Sequence, residues 1–210
     1  MHWSWPHLAV NVAGAAVVAA LGWRARATTL SAVAWFIAWP LTQALLALPY
    51  DLLRGDALPA AQRMHHYGGL SGVLHAGVVV IGLALLFPRS VAADSGHDGL
   101  EPLTPAQAAR HRLVGLALVA GTLAKVLAES PWDASLRPSA LLGIDVAPVA
   151  HACGVAAGAL AWGLVAVGWR AHRRSVYHGR LTSSRHALDQ SPRHRPEKDE
   201  APREGPRGRG

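Results

Sequence analysis

The chain predicts an all-α fold: a polytopic membrane helical bundle with five transmembrane helices and a disordered basic tail. Three observations predict it. Of the 210 residues 51% are apolar and only 16% charged, and Ala, Val, Leu and Gly are gathered into long runs, which is the composition of a helical membrane protein. Five of those runs approach or reach the length needed to cross hydrocarbon. The net charge of +7 is concentrated at run ends, after Gly22, around Arg110 and Arg112, and beyond Trp169. Cations so placed orient a membrane protein, and no nucleic-acid partner is expected. The lone Cys153 lies inside an apolar run, which excludes a disulfide scaffold and suits a small buried residue.

The first run, 1–22, opens His2-Trp3-Ser4-Trp5-Pro6-His7, without the basic start and small-residue cleavage site of a signal peptide, so it reads as a mature helix. Pro6 suits its first turn, where a missing N–H costs nothing. His7 and Asn11 are four apart and share a face. They are either an interfacial ring and a packing amide or two donors for a developing oxyanion. The second run, 28–48, holds Trp35 and Trp39, with Pro40 as a kink point. The connection 49–68 balances Asp51 and Asp56 against Arg54 and Arg63. Its His65-His66 pair does not share a helix face and has no carboxylate at ligand spacing, so no metal site is expected there.

In the third run the polar Tyr67-Gly68-Gly69-Leu70 gives way to Ser71-Gly72-Val73-Leu74-His75 and an apolar stretch reaching Phe87. Ser71 therefore stands at the first turn of a helix in lipid, where backbone N–H groups lack intrahelical partners and lie at the positive end of the dipole. Such a serine suits acyl transfer, although hydroxyls also serve packing between membrane helices. The soluble hydrolase elbow, Gly-x-Ser-x-Gly, is absent because position 73 is Val. His75 follows Ser71 by one turn, and Gly72 and Ala76 form a small-residue strip beside it. The stretch 89–112 is polar and proline-bearing and predicts a loop.

The fourth run, 113–127, carries Lys125, with Glu129 one turn on. Charges at a membrane helix end snorkel or pair, with substrate recognition as the alternative. A second loop, 130–145, leads to the fifth run, 146–169. His151 lies in its first turns, with Gly154 and Gly158 along the same face, so the imidazole falls where a neighbouring helix can approach closely. An ionisable side chain in such a run is costly without a partner, and Ser71 is the partner expected. From Arg170 onward Arg, His, Ser, Pro and Glu dominate. The division is therefore a transmembrane domain, 1–169, and a tail, 170–210, disordered and anchored through Arg170, Arg173 and Arg174 to anionic cytoplasmic lipid.

The basic connections, 23–29, the ends of 89–112 and the tail, should be cytoplasmic, and 49–68 and 130–145 external. The beginnings of the first, third and fifth helices then share one depth beneath the outer surface. His7, Asn11, Ser71, His75 and His151 all lie at those beginnings.

With these pieces assembled, His2-x4-His7-x3-Asn11, Gly69-Leu70-Ser71-Gly72 and His151-x2-Gly154-x3-Gly158 resemble the core motifs of the rhomboid intramembrane serine proteases. More narrowly, Gly69-Leu70-Ser71-Gly72-Val73-Leu74-His75, followed by Lys125, Glu129 and His151, resembles the rhombosortase branch. The resemblance covers 1–168. It implies Ser71 as nucleophile, His151 as general base and then acid, and His7, Asn11 and the Ser71 N–H as oxyanion hole, with Gly69, Gly72, His75, Gly154 and Gly158 supporting them. The expected unit is a Ser-His dyad, since no Asp or Glu stands out as a third member. The family's core has six helices and this chain starts almost on the second, so the first core helix is expected to be missing, either through a start placed downstream or in a five-helix form. The resemblance further implies no cofactor, a bacterial inner membrane with the site toward the periplasm, and membrane-anchored protein substrates carrying a C-terminal sorting tail: a glycine-rich cleavage region, a transmembrane helix and a basic end. Rival classes are a non-catalytic rhomboid-like binder of client helices and a small transport or scaffold protein.

Overall fold

The structure, a computed structural model, describes residues 4–48, 70–87, 103–132, 136–140 and 143–189. The chain divides into two units, 1–171 and 172–210, of which the second is described as helix through Asp189.

Helix α1 is Trp5–Arg24. Ser4 caps it, its hydroxyl accepting the His7 N–H at 3.3 Å, and a proline occupies its first turn. Its end is a Schellman turn, with the Ala27 N–H on the Gly22 carbonyl at 2.9 Å and the Arg26 N–H on the Trp23 carbonyl at 3.1 Å. The left-handed position of that turn, φ 50°, is held by Arg26 and not by a glycine. Arg26→Gly should therefore stabilise the protein by about 1 kcal/mol, read as a raised thermal midpoint in detergent.

Helix α2, Thr29–Leu48, runs through Pro40 as one element. Its buried Thr42 hydroxyl donates to the Ala38 carbonyl at 2.7 Å, so that polar side chain is satisfied within its own helix. Helix α3 is Ser71–Leu86. Helix α4, Pro105–Ala128, starts earlier than the loop expected over 89–112 allows. The reason is a full capping box, Thr104-Pro105-Ala106-Gln107, in which the Thr104 hydroxyl and the Gln107 amide oxygen each accept the other's backbone N–H. That signal is local and lies inside a polar stretch, whose composition alone predicts a loop.

A departure from a purely helical fold follows. Strands β1, Arg137–Ser139, and β2, Ile144–Val146, pair antiparallel with Pro138 opposite Asp145. Gly143, at φ 63°, closes the turn by donating to the Ser139 carbonyl at 2.8 Å. Helix α5 is Pro148–Asp189. It passes well beyond Trp169, where the disordered tail was expected to begin. Nothing in that stretch breaks a helix: the next proline is Pro192, and Arg, His, Ser and Leu all tolerate helical backbone.

By length and composition, α1, α2, α4 and the Pro148–Val176 part of α5 can each cross a membrane. Helix α3 is shorter, 16 residues or about 24 Å, so the expected five spans are met in length by four helices. The outside of these helices is apolar. Val12, Val17, Phe36, Leu113, Leu116, Leu160, Leu164 and Val167 are all exposed, and Trp5 and Trp23 mark the two ends of α1. A surface so apolar fits a lipid environment, with tryptophans at its borders.

Helix α3 is the hub, and its glycines explain how. At about 100° per residue, side chains five apart point about 140° apart, so Gly72, Gly77 and Gly82 open three different directions. Gly72 meets Ala150 of α5 and Thr42 of α2, Gly77 meets Val18 of α1 and Trp35 of α2, and Gly82 meets Gly115 and Val119 of α4. The Trp35 indole donates to the Val73 carbonyl at 2.9 Å, tying α2 to the same stretch. Buried Ala38, Ala76, Ala157 and Ala161 fill the junction of α2, α3 and α5, so small residues set the close approach.

The pairings also give direction. Gly14 packs at Leu74, Val18 at Gly77 and Gly22 at Ile81, so α1 runs parallel to α3. Gly154 packs at Gly72 and Gly158 at Ala76, so α5 is parallel as well. Trp35 lies at Gly77 and Thr42 at Gly72, which makes α2 antiparallel.

Candidate functional site

The α3–α5 crossing is tightest where a Cβ on Gly154 would strike the Gly72 carbonyl oxygen and one on Gly72 would come within 2.6 Å of the Ala150 carbonyl oxygen. Ser71 immediately precedes that contact on α3, and His151 immediately follows Ala150 on α5. Two chemically active side chains therefore flank the tightest of the glycine contacts among the described residues. Ser71 is half-buried and His151 buried.

His75 joins them. Its Nδ1 lies 2.6 Å from the Ser71 backbone carbonyl, which can only accept, so His75 donates from Nδ1. Its ring also stacks on His151, with centroids 4.3 Å apart and planes 19° from parallel. One imidazole is thus bonded to the serine's own turn and lies face to face with the other. The stack fixes the plane of the His151 ring.

The edge of that ring is held separately. His151 Nδ1 lies 2.6 Å from Glu129 Oε2, and Lys125 Nζ lies 2.6 Å from Glu129 Oε1. Glu129 caps the C-terminal end of α4, its N–H on the Lys125 carbonyl at 3.2 Å, and the next residue, Ser130, turns the chain away at φ 52°. Burial pushes the Glu129 carboxyl up, yet its hydrogen bonds to Lys125 and His151 outweigh that and hold it below the ordinary carboxylate range. It is an ionised acceptor at both oxygens. The expectation that no carboxylate accompanies the histidine is therefore corrected: Glu129 does. The two are 22 residues apart in sequence, with a hairpin between them, and no spacing rule connects them. Lys125 and Glu129, expected as a snorkelling or paired couple or as substrate contacts, do pair, and the pair also reaches His151.

On α1, Asn11 Nδ2 donates to His7 Nε2 at 2.8 Å, so these side chains do share a face. Asn11 is buried. Continuing the α1–α3 register back one turn from Gly14 and Leu74 puts Asn11 level with the first turn of α3, where Leu70 supplies no side-chain cap. Gly154 and Gly158 both line the crossing with α3, at Gly72 and Ala76. Cys153 is buried beside Ala147, Ala150 and Leu46. Gly69, His2 and the His65-His66 pair lie outside the described residues. Among the described residues, no group of three or more His, Cys, Asp or Glu side chains is placed to hold a metal ion.

The site thus gathers residues of α1, α3, α4 and α5 at one end of the bundle. Chemically it offers a hydroxyl at a helix start and a buried imidazole whose Nδ1 is committed to a carboxylate, leaving Nε2 with the lone pair. Compared with protein-family models, curated proteins and solved structures, the chain gives no match in any of the three.

Proposed function

We propose that the protein is an intramembrane serine endopeptidase of the rhomboid type, in the rhombosortase branch. The observation that carries this reading is the meeting of the Ser71 turn and His151 at the Gly72–Gly154 crossing, inside a bundle whose exterior is apolar. In a protein that only packs helices together, burying the His151 imidazole against His75 and Glu129 at one helix junction would be an unnecessary desolvation cost.

In this reading all five apolar helices span a bacterial inner membrane, and the shortness of α3 has a purpose. A helix of about 24 Å falls short of a hydrocarbon core of about 30 Å, so a nucleophile at its outer end lies in a recess beneath the periplasmic surface. Water enters from that side. The Ser71 hydroxyl attacks the scissile carbonyl carbon while its proton passes to His151 Nε2, and the negative oxygen is held by the Ser71 N–H with Asn11 and His7. His151 returns the proton to the leaving amine as the C–N bond breaks. Water then hydrolyses the acyl-enzyme by the reverse relay. Substrates are membrane-anchored proteins whose C-terminal tail ends in a glycine-rich cleavage region, a membrane helix and a basic end, because glycines let a helix open at the bond to be cut.

A fluorophosphonate probe on the full chain in liposomes tests this. Wild type should be labelled and Ser71→Ala unlabelled while keeping the wild-type elution volume. Well-folded wild type that resists the probe would remove the enzyme reading and leave the non-catalytic binder of client helices.

A further inference from the structure

We propose that Glu129 is a positioning residue for His151, and that Lys125 decides how it acts by occupying one carboxylate oxygen so that only the other faces the imidazole. The inference rests on the serine-hydrolase reading of Ser71 and His151 and turns the expected dyad into a three-membered relay with a lysine clamp.

The geometry supports it from two sides. The His75 stack sets the plane of the His151 ring, but a ring turned over by half a rotation would stack equally well. Only an edge-on partner can tell the two orientations apart. Glu129 Oε2, 2.6 Å from Nδ1, is that partner, and an ionised carboxylate can only accept, so the proton stays on Nδ1 and Nε2 keeps its lone pair. Burial opposes the Glu129 charge while the Lys125 and His151 contacts retain it. Among the described residues, the titratable groups facing His151 are then His75 on α3 and Glu129 at the end of α4, with Lys125 on the far oxygen of that carboxylate.

The clamp makes a prediction that a plain tether between α4 and α5 does not. In Glu129→Gln the side chain keeps one acceptor and gains one donor. The Lys125 ammonium, which can only donate, takes the acceptor, so the amide N–H would face His151 Nδ1 and force the proton onto Nε2, the tautomer that cannot take the serine's proton. Removing the lysine as well lets the amide turn over and offer its oxygen to Nδ1.

The test is the fluorophosphonate labelling rate of the full chain in liposomes. Glu129→Gln should be slowed about a hundredfold or more, and the Lys125→Met/Glu129→Gln double variant should recover about tenfold of that loss, although it carries one more substitution. A Glu129→Gln rate within about threefold of wild type, or a double variant no faster than the single, overturns the proposal while the serine reading stands. Wild type that is folded yet unlabelled fails the serine reading instead. The proton position is then decided independently by ¹⁵N-histidine resonances of wild type, assigned through His151→Ala: an Nδ1–H imidazole at neutral pH is expected, and an Nε2–H imidazole overturns the proposal. The same measurement decides the matter should Glu129→Gln not fold.

Discussion

Gly154→Ala is expected to disable the protein by a single methyl group. The added carbon would strike the Gly72 carbonyl, with Gly72 C and Cα at 2.6 and 2.9 Å. All three obstacles are backbone, so no side chain can rotate out of the way and α3 and α5 must move apart. Overpacking of this kind costs about 1–3 kcal/mol where side chains can adjust, and about 3 kcal/mol or more is expected here. In thermal unfolding in detergent that corresponds to a midpoint lowered by about 10 °C. The same shift separates Ser71 from His151, so labelling should fail even below the new midpoint. Gly163→Ala, on the same helix but with no atom within 4 Å of the added carbon, is the control and should be neutral to stabilising by up to about 1 kcal/mol. Because alanine favours helix more than glycine does, a loss in Gly154→Ala cannot come from helix propensity, and equal loss in both variants would mean that the crossing does not govern the result.

His151→Ala should abolish activity while sparing the fold. In the relay proposed, His151 accepts the Ser71 proton, and losing that base lowers acyl transfer by about three orders of magnitude or more. The fold should persist because Glu129 keeps Lys125 at 2.6 Å and stays partly open to solvent, so no buried charge is stranded. The cavity left beside His75 adds only a modest cost. The check is a labelling rate at background together with a thermal midpoint within a few degrees of wild type. A variant that retains measurable labelling would move the base elsewhere, with His75 the first candidate because its ring lies against the same position.

Much of the fold was readable along the chain. The runs at 1–22, 28–48 and 146–169 correspond to α1, α2 and the apolar part of α5, because an apolar segment of that length has few other uses. Position alone made Ser71 a helix start, and helical spacing alone put His75 one turn on and Asn11 one turn after His7. The beginning of α4 departs from the loop expected over 89–112, because the Thr104–Gln107 capping box starts a helix inside a polar stretch. The end of α5 departs from expectation for the same reason, because a polar composition does not stop a helix that meets no proline.

What the chain carries in linear form are local matters: which stretches prefer lipid, which residues begin a helix, and which side chains share a face. Those follow from hydrophobicity and a period of 3.6, both readable without neighbours. Which helices touch, and where, was decided in three dimensions by Gly72, Gly77 and Gly82 of α3, whose partners on four other helices no spacing rule names. The pairing of Glu129 with His151 belongs to this second kind, because it depends on where α4 ends against α5 after a hairpin has reversed the chain. A hydrogen bond across 22 residues is a property of packed backbones and has no signature in sequence order.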